Sequence, residues 1–156
     1  MNLEDGVFYP REAYAGFWLR LMIELIDAFI VTGLCIGFAL VLVNSVPARE
    51  SSLQAIFISL ILIWFGYFVL LKHSKLSTVG YRIGRAKIVN LQGNNFSIYS
   101  LTLRLIFAVI GPFNILLDLL WITSDPYRQS LRDKFAHTYV IKRNARVAGK
   151  GKIIFR

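Results

Sequence analysis

The sequence predicts an all-α membrane protein with two transmembrane helices, a third apolar segment and room for short cytoplasmic strands. Of its 156 residues, 56% are apolar and only 17% are charged, a balance far from that of soluble domains. Two apolar runs are each long enough to cross a bilayer. The 18 Lys and Arg residues outnumber the 9 Asp and Glu residues, and in so apolar a chain this excess indicates membrane orientation.

The first apolar run extends from Phe17 to Val43 and carries Arg20, Glu24 and Asp27 near its start. A hydrocarbon core about 30 Å thick needs roughly 20 helical residues, so the run can span with its charged end near the headgroups. The internal charges and the acidic start MNLEDG favour a retained helix over a cleaved signal peptide.

The second run, from Ser51 to Leu71, follows a short polar turn at 44–50 and ends abruptly at Lys72. Two spanning segments joined by so short a turn predict a helical hairpin. Because basic loops are retained in the cytoplasm, the basic segment 72–100 and the N-terminus are expected there, with the hairpin tip outside. The sequence therefore predicts a multi-pass protein of the cell inner membrane.

Two short stretches outside the apolar runs have the composition of β-strands. AKIVNL, at 86–91, is rich in β-branched residues and precedes the turn-like QGNN. TYVI, at 138–141, lies in the polar C-terminal part of the chain. We expect both strands to be short and to lie on the cytoplasmic side.

The third apolar run, Leu101 to Ile122, is interrupted by Gly111 and Pro112. It forms either a re-entrant helical hairpin or a third span kinked at the proline. We favour the hairpin, which keeps the C-terminus in the cytoplasm, because a single crossing would leave a strongly basic tail outside. The basic residues concerned are Arg128, Arg132, Lys134, Lys142, Arg143, Arg146, Lys150, Lys152 and Arg156.

Arg20, Glu24 and Asp27 follow one another at i, i+4 and i+7, which places them on one face of a helix. Ionisable side chains at membrane depth face a bundle interior, a partner charge or water. One interpretation makes Asp27, with Glu24, a carboxylate that binds a proton or cation and is tuned by Arg20. The other is a buried ion pair with Arg20 that fixes helix packing.

Three further charged residues are candidates for the same polar network. Arg104 and Asp118 lie in opposite halves of the third run, and a return at Gly111 would let them close it as a latch or join a polar path with Asp27. Asp133 lies among basic residues just beyond the run. It either forms a cytoplasmic salt bridge or lies at the mouth of that path; the expected salt-bridge partners are Arg82, Arg85 and Arg128.

The first helix, YAGFWLRLMIELIDAFIV, resembles the opening of the RDD family of small membrane proteins, which is named for one arginine and two aspartates. In this resemblance Arg20 matches the arginine, Asp27 the first aspartate, and Asp133 the second. STVGYRIGRAKIVNLQGN is similar to the family segment T-x-G-K-x-x-x-G-x-x-V, with Tyr81 where a lysine is usual. The resemblance covers about residues 14–142. It implies an integral membrane protein from a family suggested to transport ions or small ligands.

Other classes of function have little support in the sequence. Cys35 is the single cysteine, and His73 and His137 are the only histidines, so we expect neither a disulfide nor a metal site. No nucleotide-binding loop or hydrolase motif is present, and no patterned basic and aromatic surface for nucleic acid. We therefore expect no enzyme activity, no cofactor and no nucleic-acid partner.

Two functions remain open for a single domain of residues 1–156 with a basic tail at 143–156. The first is transport of a cation, proton or small ligand through a polar path near Asp27. The second is a non-catalytic membrane adaptor or assembly subunit that binds a partner protein or anionic lipid. The partners that we expect are the bilayer, anionic headgroups near the basic segments, and either further copies of the chain or a membrane partner protein.

Overall fold

Two long apolar helices dominate the fold. The computed structural model describes residues 4–45, 50–74, 76–109, 118 and 120–153. Helix α1 is Phe17–Ser45, and helix α2 is Glu50–Phe65, which continues as π-helix over Gly66–Leu71. The segments Phe17–Ser45 and Leu53–Leu71 have mean hydropathies of 2.5 and 2.3, and each is long enough to cross a membrane. The prediction of two apolar helices of spanning length is therefore confirmed.

Helix α1 is buried along one narrow stripe only. The buried residues are Arg20, Ile23, Asp27 and Val31, spaced three or four apart as one helical face requires. The later part of the helix exposes its apolar side chains, among them Leu40 and Val43. Because soluble proteins bury such residues, this exposed apolar surface is what a lipid-facing helix presents.

Short elements are gathered around the charged end of α1. The helices are α3 at Val79–Ile83, α4 at Ile98–Val109 and α5 at Leu131–Phe135. The strands are β1 at Glu4–Phe8, β2 at Ala86–Asn90, β3 at Thr138–Lys142 and β4 at Gly149–Ile153. A short 3₁₀ turn, Arg11–Ala13, lies between β1 and α1. The fold is mostly helical, as expected.

The four strands form two antiparallel pairs. β2 pairs with β3, with Ile88 opposite Val140, and these are the two strands expected from AKIVNL and TYVI. β1 pairs with β4, with Gly6 opposite Gly151, and this pair was not predicted. An isolated antiparallel bridge links Tyr14, which lies between β1 and α1, to Ile141 of β3. Part of the expected basic tail is therefore a strand that pairs with the N-terminal segment.

An aromatic cluster holds the strands against the start of α1. Tyr14 and Tyr139 pack edge to face with their ring centroids 5.5 Å apart, and both are fully buried. The Tyr14 hydroxyl accepts a hydrogen bond from the Tyr9 N–H at 3.0 Å. The pairing of β1 and β4 and the entry to α1 thus share one core.

Helix α3 approaches α1 so closely that only glycine fits at the contact. A Cβ on Gly80 would lie 2.8 Å from Asp27 Oδ1 and closer still to the Ile23 carbonyl oxygen. A Cβ on Gly84 would lie 2.7 Å from Ile23 Cγ1. The two glycines therefore let the backbone of α3 reach the Asp27 side chain.

The third apolar run is described only in part. Helix α4 covers its first half, and residues 120–124 near its end are helical. The expected break at Gly111 and Pro112 lies outside the described residues.

Candidate functional site

Asp133 is the centre of a buried ion-pair network. Its Oδ2 accepts a hydrogen bond from Arg20 Nη1, and its Oδ1 accepts one from Arg104 Nη1. All three side chains are buried, with 3% of Arg20, 6% of Arg104 and none of Asp133 exposed. The expected salt bridge to Arg82, Arg85 or Arg128 is wrong. Asp133 pairs instead with Arg20 of α1 and Arg104 of α4, and α5 itself packs against α4 and β3.

The backbone of α5 fixes the position of the Asp133 carboxylate. Ser130 is the N-cap residue, and its Oγ accepts a hydrogen bond from the Asp133 N–H at 3.2 Å. In return, the Ser130 N–H donates to Asp133 Oδ2 at 3.3 Å. This capping box helps to fix the orientation of the carboxylate towards the arginines.

Both arginines of the network are also held by neutral acceptors. Arg20 Nε donates to the Ala15 carbonyl at 3.0 Å, and Arg20 Nη2 donates to the Arg128 carbonyl at 2.6 Å. Arg104 Nη1 donates to Thr138 Oγ1 at 3.0 Å. A guanidinium has five N–H donors in a fixed fork, so these contacts lock Arg20 between α1 and the segment leading to α5.

The electrostatic surroundings favour the ionised form of Asp133. Burial alone would raise the pKa of its carboxyl, but the charges of Arg104 and Arg20 outweigh burial and hold that pKa well below its usual range. Burial lowers the pKa of the neighbouring Arg132 to about 10. At neutral pH the Asp133 carboxyl is therefore ionised and the Arg132 side chain is protonated.

A second ion-pair group adjoins the first. Arg132 pairs with Glu24 through Nη2 and with Asp118 through Nε, and its backbone N–H donates to Asp118 Oδ1 at 3.1 Å. The expected latch between Arg104 and Asp118 is therefore wrong, because each residue has a different ion-pair partner. Arg132, which the sequence interpretation did not select, links Glu24 of α1 to Asp118.

Asp27 differs from the other buried carboxylates because its partners are neutral. Its Oδ1 accepts hydrogen bonds from the Tyr67 hydroxyl and the Gly80 N–H, both at 2.8 Å, and its Oδ2 accepts one from Thr78 Oγ1 at 2.7 Å. Its side chain is 1% exposed. The expected pair between Asp27 and Arg20 is wrong, since Arg20 is committed to Asp133.

Tyr67 is a site residue that the sequence interpretation missed. It lies in the π-helical part of α2, where a wider turn brings its hydroxyl to Asp27. The same hydroxyl accepts a hydrogen bond from the Val79 N–H at 3.3 Å. A tyrosine in an apolar run has no distinctive spacing, so its role depends on the tertiary fold.

A small cavity opens beside Asp27 between α1, α2 and α4. Its volume is about 140 Å³, several times the roughly 30 Å³ that a water molecule occupies in the liquid. Its wall combines apolar side chains, such as Trp64 and Leu105, with charged ones. The charged lining residues are Glu24, Asp27, Lys72, Arg104 and Arg132. The cavity has room for a few waters or a small cation and is smaller than a typical pocket for an organic ligand.

Lys72 lies at the end of α2 and also lines this cavity. Burial, aided by the positive charge of Arg104, lowers the pKa of Lys72 to about 7. The Lys72 ammonium lies 4.5 Å from the centre of the Tyr81 ring. Tyr81 is the residue at which the similar RDD segment usually has a lysine. Lys72 can therefore change charge near neutral pH.

Asp125 anchors the segment before α5. It forms an ion pair with Lys134 at 2.7 Å, and its Oδ1 accepts hydrogen bonds from the N–H groups of Tyr127 and Gln129. Gln129 Nε2 in turn donates to the Thr138 carbonyl at 3.0 Å. Within the described part of the chain, no three His, Cys, Asp or Glu side chains are grouped to hold a metal ion.

The three residues of the RDD resemblance thus lie together at the start of α1, but in two separate groups. Arg20 and Asp133 form one ion pair, and Asp27 belongs to a neutral hydrogen-bonded cage. No curated protein and no solved structure matches the chain. The sequence model of the RDD family matches residues 14–137, well over half of the chain, and the protein therefore belongs to the RDD family.

Proposed function

We propose that this protein is a non-enzymatic membrane transporter in which Asp27 binds a proton or a small monovalent cation. The observation that carries the proposal is that Asp27 is buried and, among the described residues, has no ion-pair partner. The arginines Arg20, Arg104 and Arg132 pair with the carboxylates Asp133, Glu24 and Asp118, and these charges cancel.

An uncompensated buried carboxylate is costly, which is why intramembrane acids usually mark ion or proton pathways. Asp27 has this character and also lies on the wall of the 140 Å³ cavity. A carboxylate offers about four lone-pair sites, and the three hydrogen bonds from Tyr67, Thr78 and Gly80 leave about one for a ligand in the cavity. A bound cation or proton would neutralise the remaining charge.

The hydrogen bonds from Tyr67, Thr78 and Gly80 hold the Asp27 carboxylate in a defined position for binding of the proton or cation. Tyr67 and Thr78 are both buried and hold opposite oxygens of the carboxylate. Ligand exchange at Asp27 thus needs no movement of the arginine network. Lys72, with its pKa near 7, lies on the same cavity wall, and its charged form would oppose a second cation there.

We propose a multi-pass arrangement in the inner membrane with both termini in the cytoplasm. The pairing of β1 with β4 supports a common side for the two ends of the chain, and the pairing of β2 with β3 supports the same side for 86–90 and 138–142. The sequence segments 72–100 and 143–156, to which β2 and β4 belong, carry Lys and Arg but no Asp or Glu, which favours the cytoplasm. The third apolar run must then enter and return, as the re-entrant hairpin requires.

Two spanning helices are too few to enclose a path across the bilayer. We therefore propose that the transporter works as a homo-oligomer, with the exposed apolar surfaces of α1 and α2 facing lipid and neighbouring copies. A membrane partner protein is the alternative source of the missing helices.

The experiment is an ion-flux assay in liposomes that contain purified protein. Internal pH is followed after Na⁺, K⁺ or Li⁺ is added outside, for the wild type, Asp27→Asn and Asp125→Asn. Asp125 is the matched control because it is a buried carboxylate outside the cavity. We expect cation-dependent proton movement that falls at least tenfold in Asp27→Asn and persists in Asp125→Asn.

Equal flux in the wild type and Asp27→Asn would contradict the proposal. Absence of flux in correctly inserted wild-type protein would also contradict it and would favour the adaptor function. The adaptor would then be sought by isolating the complex in mild detergent.

A further inference from the structure

A second cavity lies where α2 leaves its apolar run. Its volume is about 280 Å³, close to the lower end of the about 300–1,000 Å³ found for ligand pockets. Four of its lining residues carry basic side chains, namely Lys72, His73, Lys87 and Arg143. None of the described residues that line it is acidic. Lys72 lines both this basic cavity and the smaller one, whereas Asp27 and Glu24 line only the smaller one.

Three different parts of the chain build the basic cavity. Lys72 and His73 follow directly after the spanning segment Leu53–Leu71. Lys87 lies in β2, and Arg143 follows β3 directly, its N–H donating to the Arg85 carbonyl at 2.7 Å. The pairing of β2 with β3 therefore brings Lys87 and Arg143 to one wall.

Among the described residues, the lysines and the arginine of this cavity have no carboxylate partner. Within the described residues, no ion pair includes Lys72, Lys87 or Arg143. The Lys72 ammonium instead lies over the rings of Tyr81 and Phe68, at 4.5 and 5.8 Å from their centres. A cluster of like charges without counter-charges is stabilised by an anion, and most strongly where the site is partly desolvated.

The position of the cavity limits the kind of anion. A helix that spans the hydrocarbon core ends at the level of the lipid headgroups, and Lys72 is the first residue after such a segment. Arginine binds phosphate oxygens in a bidentate manner, and lysine binds them as a point charge. The Asn95 side chain, also in the lining, offers an amide donor for a further oxygen.

We propose that the basic cavity binds a phosphate group, and that its source is the headgroup of an anionic phospholipid of the same leaflet. Lys87 and Arg143 hold the phosphate oxygens from the strand side, and Lys72 holds them from the helix side. The site goes beyond the transport function, because it does not use Asp27. Bound lipid would fix the end of α2 against the β2 and β3 pair.

The test compares two double variants of the full chain, purified in a neutral detergent. Lys87→Gln with Arg143→Gln removes two charges from the cavity. Lys142→Gln with Arg146→Gln removes two charges from exposed neighbouring positions that do not line it. Neither pair belongs to the proposed transport site, so ion flux and phosphate binding can fail independently. Lys87→Arg serves as the conservative variant.

Binding is measured by native mass spectrometry for phosphatidylglycerol and phosphatidylcholine, and by ³¹P line broadening for inorganic phosphate. We expect the wild type to bind phosphatidylglycerol saturably. The affinity should fall at least about tenfold in the cavity variant, because charged hydrogen bonds to the phosphate are lost. In the exposed variant the affinity should fall less than about threefold. Lys87→Arg should bind like the wild type. Elution volume on size exclusion verifies that each variant is folded.

Inorganic phosphate could bind to the wild type and more weakly to the cavity variant, while phosphatidylglycerol does not bind. This result would support the phosphate site but overturn the lipid headgroup as its source, and it would assign the site to a soluble ligand. Equal loss in both double variants would show diffuse attraction to surface charge and overturn the proposal. Unchanged binding in the cavity variant would overturn it as well.

Discussion

Replacing Asp133 by asparagine tests the ion-pair network that organises the charged end of α1. The substitution keeps the size of the side chain and removes its charge, so that Arg20 and Arg104 are left buried without their carboxylate. Breaking a buried pair by removing one partner costs about 3–5 kcal/mol. At about 2–4 °C per kcal/mol for a chain of this size, Tm should fall by about 6–20 °C.

The assay is thermal unfolding in detergent, followed by the fluorescence of the three tryptophans. Asp125→Asn is the matched control, because its partner Lys134 is 24% exposed and its Oδ1 contacts can be kept by asparagine. We expect this control to lose about 1 kcal/mol or less, as for partly exposed pairs. A Tm for Asp133→Asn no lower than that of the control would refute the assignment of Asp133 as the centre of the network.

The same network predicts how stability depends on pH. The folded-state pKa of Asp133 is lower than its unfolded value of about 3.9, because the charges of Arg104 and Arg20 outweigh the effect of burial. Its contribution to stability is therefore complete above that value and is lost as the pH falls through the folded-state pKa. In Asp133→Asn this part of the acid sensitivity should be missing.

Three further predictions concern the surroundings of Asp27 and the end of α2. Gly80→Ala should destabilise the protein by about 1–3 kcal/mol in thermal unfolding, because the alanine Cβ would collide with α1. Gly33 has open space around it, so Gly33→Ala should be neutral or slightly stabilising in the same assay. Tyr67→Phe removes a hydrogen bond to a buried carboxylate and should cost about 1.5–3 kcal/mol in thermal unfolding; the same change at Tyr99, which is 71% exposed, should have no measurable effect. Acylation of Lys72, measured by mass spectrometry across pH, should show a midpoint near pH 7, and a midpoint near 10 would contradict the effect of burial.

The sequence predicts those parts of the fold that depend on local pattern. The lengths of the apolar runs predict α1 and α2, and the β-branched content of AKIVNL predicts β2. The helical spacing predicts that Arg20 and Asp27 share one face, and both are buried there. These properties depend on residues that are a few positions apart, so one amino-acid sequence is enough to predict them.

The partners of the charged residues depend on contacts that no local pattern encodes. Asp133 pairs with Arg20, which is 113 positions away in the sequence. It does so although the basic residues Arg82 and Arg128 are closer to it in the sequence. Arg104 and Asp118 were expected to pair because both lie in one apolar run, but the placement of α5 gives each another partner.

The strands β1 and β4 were missed for a different reason. The sequence GKGKI alternates glycine with lysine in β4 and has low intrinsic β propensity. Its strand conformation comes from pairing with β1, which is anchored in turn by the hydrogen bond from the Val7 N–H to the Leu91 carbonyl at 2.8 Å. Tertiary pairing here overrides local preference.

Infrared difference spectroscopy of the reconstituted protein can show whether Asp27 is the carboxylate that exchanges its ligand. Spectra are recorded at constant pH on exchange of Na⁺, K⁺ or Li⁺, and then on a pH step without cation. We expect a change in the carboxylate stretching bands of the wild type that persists in Asp125→Asn and disappears in Asp27→Asn. The same bands in Asp27→Asn, or no carboxylate change in the wild type, would contradict this expectation.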